Sequence, residues 1–336
     1  MSEIFLPQKI IFGENAVKKY ADGGFEHVLM LSDKAEPAYS QLIGDIRTEL
    51  SEKIPCIGSV ISNDIDYLRS QAISHISRSQ PDRIAAVGSA AVIDTAMLIS
   101  YQTGVEFSAI PFFSSCAMTD FDEADYRTYR KSPCETVLAE DFIKYVNSDT
   151  AAYDAFSCFA YAVDSLISCD NTVIFSLALM SATDILNNAV GAYRGNRKSI
   201  QKLQYSMYYA VLAHRNMLSL SSSVVDDVTS FFSRLGISKQ AAAAICIPEI
   251  MDYYRNDIFA EISRATGLYR SGEAPGDTID KLAERVRTIR AALNIPRCIG
   301  AVLPDAEVFR AFAENSHLPN ELLELCYNGS FRFMKL

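Results

Sequence analysis

The amino-acid sequence predicts an α/β plus all-α protein: an N-terminal Rossmann-like domain on a mostly parallel sheet, then a helical domain. Two features lead there. Up to about residue 145, short apolar runs of strand length alternate with amphipathic stretches of helix length. Strands joined by crossover helices imply a parallel sheet covered on both faces. Beyond that point β-rich segments nearly vanish, and long helical runs with loop punctuation take over. The predicted domains are residues 1–147 and 148–336.

In the first domain KIIFG is a short strand ending at Gly13, and HVLMLSD is a second, with Ser32 and Asp33 at its carboxyl end. Residues 37 to about 50 have helical spacing. IPCIGSV gives a third strand, and NDIDYLRSQAISHISRS an amphipathic helix capped by Asn63 or Asp64. After Pro81, RIAAVGS reads as a buried strand, AAVIDTAMLISYQTG as a helix closed near Gly104, and VEFSAIPF as a further strand. Parallel sheets bind ligands beyond the carboxyl ends of their strands. Ser32, Asp33, Gly88, Ser89 and the stretch PFFSSCAMTD all fall there. In the second domain the expected helices lie around 150–169, 171–193, 197–219, 222–234, 238–254, 257–266, 277–292 and 304–315. YRGNRK, RLGISK, SGEAPGD and NIPRCIG punctuate them.

Bulk properties narrow the function classes. A net charge of −10 argues against nucleic acid or an anionic membrane as the partner. The start, MSEIFLPQKIIFG, has no basic leader followed by a long apolar core, and no unbroken run approaches the roughly 18 apolar residues of a membrane span. The expected compartment is therefore the cytoplasm. Eight Cys without a CxxC pair read as reduced thiols, Cys116 and Cys134 being nucleophiles only in the sense that any Cys is. No nucleophile elbow, Walker A, HExxH or EF-hand pattern occurs.

Several segments, in order, resemble the iron-containing (metal-dependent) alcohol dehydrogenase family with its glycerol dehydrogenase and 3-dehydroquinate synthase-like relatives. LPQKIIFGENAVKKY is similar to that family's first strand, glycine turn and helix, and VLMLSDKAEP to its second strand. AVGSAAVIDTAM resembles its Gly-Gly-Gly-Ser-x-x-Asp-x-x-Lys element. AIPFFSSCAMTD sits at its Ile-Pro-Thr-Thr loop, and YDAFSCFAYAVDSL at its Asp-Ala-x-x-His helix. The resemblance covers nearly the whole chain. It implies a hydride transfer between a nicotinamide cofactor, held across the cleft between the domains, and a small alcohol, aldehyde or ketone.

The resemblance also assigns residues. Its glycine-rich turn falls on Gly88, Ser89, Ala90 and Ala91, where backbone N–H groups at a helix start would face a pyrophosphate. Asp94 is retained, and the closing Lys is Met97. The family threonines become Phe112 and Phe113, followed by a small loop containing Ser115; the two rings would either stack on the adenosine or fill its space. Asp33 would contact the ribose hydroxyls and favour NAD over NADP. A strand–helix junction packed with small residues explains the same turn equally well.

The metal site departs furthest. Asp154 matches the family Asp, but the His one turn later is Cys158, a soft ligand in principle. His27, His75, His214 and His317 are the only His, and none falls at a ligand position. The expectation is a centre without the family metal, Asp154 and Cys158 being the weak candidates for one. Asp154, Lys239 and Asp227 (or Asp226) are then the residues to carry charge and proton transfer. Asp154 as a helix N-cap or buried acid is the plain alternative. A non-catalytic binding or regulatory relative and a dehydroquinate synthase-like lyase with catalytic NAD are the competing functions. The partner expected is a small-molecule substrate, with a homodimer compatible.

Overall fold

Strands β2 (His27–Ser32), β4 (Arg83–Gly88) and β5 (Phe107–Pro111) are buried along almost their whole length, as central strands of a doubly covered parallel sheet must be. The computed structural model describes residues 4–33, 37–112, 131–218 and 220–329. It sets these strands with β1 (Lys9–Gly13), β3 (Cys56–Ile61) and β6 (Glu135–Ala139). Among the described residues the six form one sheet, all parallel, in the order β1-β6-β5-β4-β2-β3. From β2 the chain moves outward to β3, then crosses back to β4 on the other side of β2 before continuing to β5 and β6. The carboxyl ends of β2 and β4 therefore flank the switch point at which such sheets bind ligands.

Helices α1 (Ala16–Ala21) and α2 (Pro37–Ser51) share one apolar cluster with the sheet, in which Tyr20, Leu42 and Ile46 meet Val28, Met30, Val87 and Val137. Helices α3 (Ile65–Ser79) and α4 (Ala90–Thr103) also pack on the sheet. Of the two predicted caps for α3, Asp64 is the one used: its Oδ1 accepts the Tyr67 N–H at 3.0 Å. Gly104, at φ 77°, closes α4 in the left-handed conformation that glycine adopts without strain. Strand β6 is absent from the sequence expectation. Its five residues ETVLA show no alternation, and pairing to β1 and β5 on either side makes them a strand.

The chain clusters into two units, Met1–Asn147 and Ser148–Leu336. The second is helical: α5 (Ser148–Ser168), α6 (Thr172–Tyr193) and α7 (Arg197–Leu218) pack on one another. They are followed by α8 (Val224–Ser233), α9 (Lys239–Tyr254), α10 (Phe259–Ala265), α11 (Pro275–Ala292), α12 (Ala306–Ala313) and α13 (Asn320–Asn328). Helix α13 is a further element missing from the sequence expectation. By length and composition α6 is the one described helix that matches a membrane span. Polar Thr183, Asp184, Asn187 and Asn188 break its apolar run, and Ile174, Ile185 and Leu186 are buried.

Helix α9 continues through Pro248, which has no N–H to give and crowds the preceding turn. Near this point Arg290 of α11 reaches α9: its Nη1 donates to the Ile245 carbonyl at 2.7 Å and to Glu249 Oε2 at 2.8 Å. Glu249 and Arg290 are both buried, so this ion pair joins α9 to α11 inside the core.

Candidate functional site

The strand–turn–helix at residues 83–103 places Gly88 last in β4 and Ser89 as the N-cap of α4. Gly88 has φ 152°, and a Cβ there would lie 2.7 Å from Asp33 Oδ1 and 3.4 Å from Val92 Cγ2. Only glycine lets the two strand ends approach this closely. The Ser89 N–H donates to Asp33 Oδ1 at 3.3 Å, so the acid at the end of β2 reaches across the switch point to the start of α4. The Ser89 hydroxyl makes no capping hydrogen bond. Together with the N–H groups of Ala90 and Ala91 it heads a helix end that favours anions.

Asp33, Gly88, Ser89 and Ala90 are thus brought together at the carboxyl end of the sheet. Asp94 lies fully buried on the same helix. Phe112 has a different place: its ring is 1% exposed and stacks on Tyr39, centroids 4.5 Å apart and planes at 11°. The Phe112 N–H donates to the Gly88 carbonyl at 3.2 Å. Its ring therefore belongs to the apolar core behind the turn. Phe113, Ser115 and Cys116 lie outside the described residues.

In the helical unit Asp154 and Cys158 occupy successive turns of α5, both buried. Asp154 is inside the helix and does not cap it. Burial and the neighbouring Asp154 carboxylate push the Tyr153 phenol up to about 12. Two donor atoms do not make a metal centre. Among the described residues no group of three or more His, Cys, Asp or Glu is arranged to hold an ion. Lys239 is the first residue of α9 and Asp227 lies in the first turn of α8, both partly exposed. Cys134 is buried, and desolvation and Glu106 raise its thiol above the ordinary range, which leaves it protonated and unreactive.

A buried ionisable cluster does form, around His214 of α7. Its Nε2 lies 3.1 Å from Asp164 Oδ2 of α5, 3.3 Å from Ser223 Oγ and 3.8 Å from Asp226 Oδ2 of α8. Ser223 caps α8 by accepting the Asp226 N–H at 2.9 Å and donates to Asp164 Oδ2. Asp164 Oδ1 accepts the Val224 N–H at 3.2 Å. Burial lowers the His214 pKa, but the Asp226 and Asp164 carboxylates outweigh it and the net shift is upward. The sequence singled out neither Asp164 nor Ser223. The one local signal was the Ser-x-x-Asp spacing of 223 and 226, a helix-start pattern.

No protein-family model matches the sequence, and no curated protein matches it. Solved structures do match in fold. Over 97% of this chain and 100% of that one, it is similar to the iron-containing alcohol dehydrogenase from Thermococcus thioreducens, with 15% identity and a TM-score of 0.78. Over 94% of this chain and 92% of that one it is similar to a 1,3-propanediol oxidoreductase, with 18% identity and a TM-score of 0.74. Over 98% of both chains it is similar to sulfoacetaldehyde reductase from Bifidobacterium kashiwanohense, solved in complex with NAD+, with 13% identity and a TM-score of 0.75. The parallel sheet followed by a helical unit is thus the fold of the iron-containing alcohol dehydrogenases.

Proposed function

We propose that this chain is a nicotinamide-dependent oxidoreductase acting on a small alcohol, aldehyde or ketone, with NAD preferred and without a catalytic divalent metal. The observation that supports it most is the Asp33 carboxylate set against Gly88 and the Ser89 N–H at the switch point. Gly88 admits a pyrophosphate to the start of α4. Ala90 and Ala91 hold it by N–H groups and the free end of the helix dipole. Asp33, as an acid at the end of the second strand, pairs with ribose hydroxyls and repels a 2'-phosphate. When bound, the nicotinamide supplies or accepts the hydride.

The two-donor set at Asp154 and Cys158 supports the metal-free reading. A binding protein without turnover is the second reading, supported by the small non-glycine residues at 89–91. One assay separates them: loss of reduced-nicotinamide absorbance with a series of short aldehydes, before and after dialysis against a chelator. Oxidation of NADH that survives chelation is expected. Activity that vanishes on chelation and returns with zinc or iron would refute the metal-free reading, and no oxidation at all would favour the binding protein.

A further inference from the structure

Strand β3 stands at one end of the sheet order and is hydrogen-bonded to β2 alone among the described residues. The Cys56 N–H donates to the Glu26 carbonyl at 3.1 Å, and the Ser62 N–H to the Ser32 carbonyl at 3.0 Å. Residues 56, 58, 60 and 62 therefore turn their backbone groups inward, and Ile57, Ser59 and Ile61 turn theirs out of the sheet. No strand lies beside those outward groups among the described residues. Every residue of β3 keeps some exposure to solvent, whereas β2 is buried from Val28 to Ser32. Proteins blunt an open edge with Lys, Pro or a bulge, and the other end strand, β1, carries the exposed Lys9. Strand β3 reads CIGSVI, without charge or proline, and no bulge interrupts its register to β2. Ile57 and Ile61 pack on the apolar cluster of the sheet but are only partly buried there. On the opposite face the His75 imidazole of α3 sits directly over Gly58, so α3 lies close to the edge. Tyr67, Gln71 and His75 recur at a spacing of four along that flank of α3, and Tyr67 is 52% exposed.

We propose that two copies of this chain associate through β3, which pairs antiparallel with β3 of the second copy about a two-fold axis at Ser59. That register uses every outward group. Ile57 faces Ile61 of the second copy, Ser59 faces its own counterpart, and Ile61 faces Ile57, each pair exchanging both of its hydrogen bonds. The contact is isologous, as a two-fold contact must be. Across it Ile57 and Ile61 form cross-strand apolar pairs that complete the burial begun on the cluster. The uncharged segment meets no like charge in its own copy. An axis perpendicular to the sheet keeps the two faces continuous, so α3 runs beside α3 of the second copy. The exposed Tyr67 rings then lie along the contact, where aromatic residues are favoured. A foreign peptide could meet the same backbone groups, but only a second copy brings the matching Ile–Ser–Ile spacing by symmetry. The inference is independent of the cofactor reading.

Sedimentation equilibrium of the intact chain over a dilution series is expected to show a monomer–dimer equilibrium; a monomer at every concentration overturns the proposal. Ser59→Lys sets two like charges face to face on the axis, and the dissociation constant is expected to rise about a hundredfold or more. Ser59→Asp is expected to do the same. Mixed together, the two variants are expected to dimerise again, because Lys then faces Asp. A dimer that survives either charge, or a mixture that stays monomeric, overturns the proposal. Hydrogen exchange on the wild-type chain decides the matter should a charged variant fail to fold. The amides of Ile57, Ser59 and Ile61 are expected to exchange slowly in the dimer and fast once dilution favours the monomer. Fast exchange at all three in a demonstrated dimer places the contact elsewhere and overturns the proposal.

Discussion

Replacing Gly88 by Ala perturbs the candidate site at its narrowest point. A Cβ at 88 would lie 2.7 Å from Asp33 Oδ1, inside van der Waals contact, on a residue whose φ of 152° L-residues rarely adopt. Two costs follow. Backbone strain at such a position is of order 1–3 kcal/mol. Displacing the Asp33 carboxylate from the Ser89 N–H forfeits a charged hydrogen bond worth about 1.5–3 kcal/mol. Gly88→Ala should therefore destabilise the chain by about 3–5 kcal/mol, read as a lowered urea midpoint at constant slope. Asp33→Ala removes the clash but not the strain. The double variant should accordingly be about 1–2 kcal/mol more stable than the sum of the singles requires. A Gly88→Ala chain within about 0.5 kcal/mol of wild type, or strict additivity in the cycle, would refute the close approach of Asp33 to the turn.

Other outcomes follow from the same geometry. The folded His214 has a pKa above its unfolded value, so its stabilising contribution is complete below about pH 6.5 and is lost as pH rises through the raised value. The stability gap between wild type and His214→Asn should therefore narrow as pH rises above about 6.5; a gap independent of pH would mean a neutral imidazole throughout. Arg290→Met strands the buried Glu249 carboxylate and uncaps the Ile245 carbonyl, at a cost of about 3–5 kcal/mol. Adding Glu249→Leu should recover much of that loss in the same urea assay, and no recovery would show the pair to be independent. Asp33→Ser should move the NADPH-to-NADH affinity ratio upward by about tenfold or more, read by competitive titration; an unchanged ratio would remove Asp33 from the ribose site.

The parts legible in the sequence were those set by local patterning. Strands β2, β4 and β5 are continuous apolar runs, α3 carries its start signal in the Asp64 cap, and α4 its stop signal in Gly104. Where partners lie far along the chain, the sequence was silent. Strand β6 gains its identity from β1, about 126 residues earlier in register. Phe112 is a core residue because Tyr39 stacks on it, and nothing near position 112 announces that. His214 meets Asp164 across 50 residues and three helices, which no spacing rule links. The turn at Gly88 lies between these cases. Its strand–glycine–helix order was readable, but the reach of Asp33 across the sheet was not.

Cofactor binding at the switch point carries the whole functional reading, and titration of the intact chain with NADH, followed by nicotinamide fluorescence, tests it most directly. A saturable signal at one site per chain, stronger with NADH than with NADPH and weakened by Gly88→Ala, is the predicted result. Fluorescence unchanged by the protein at saturating NADH and NADPH would contradict it.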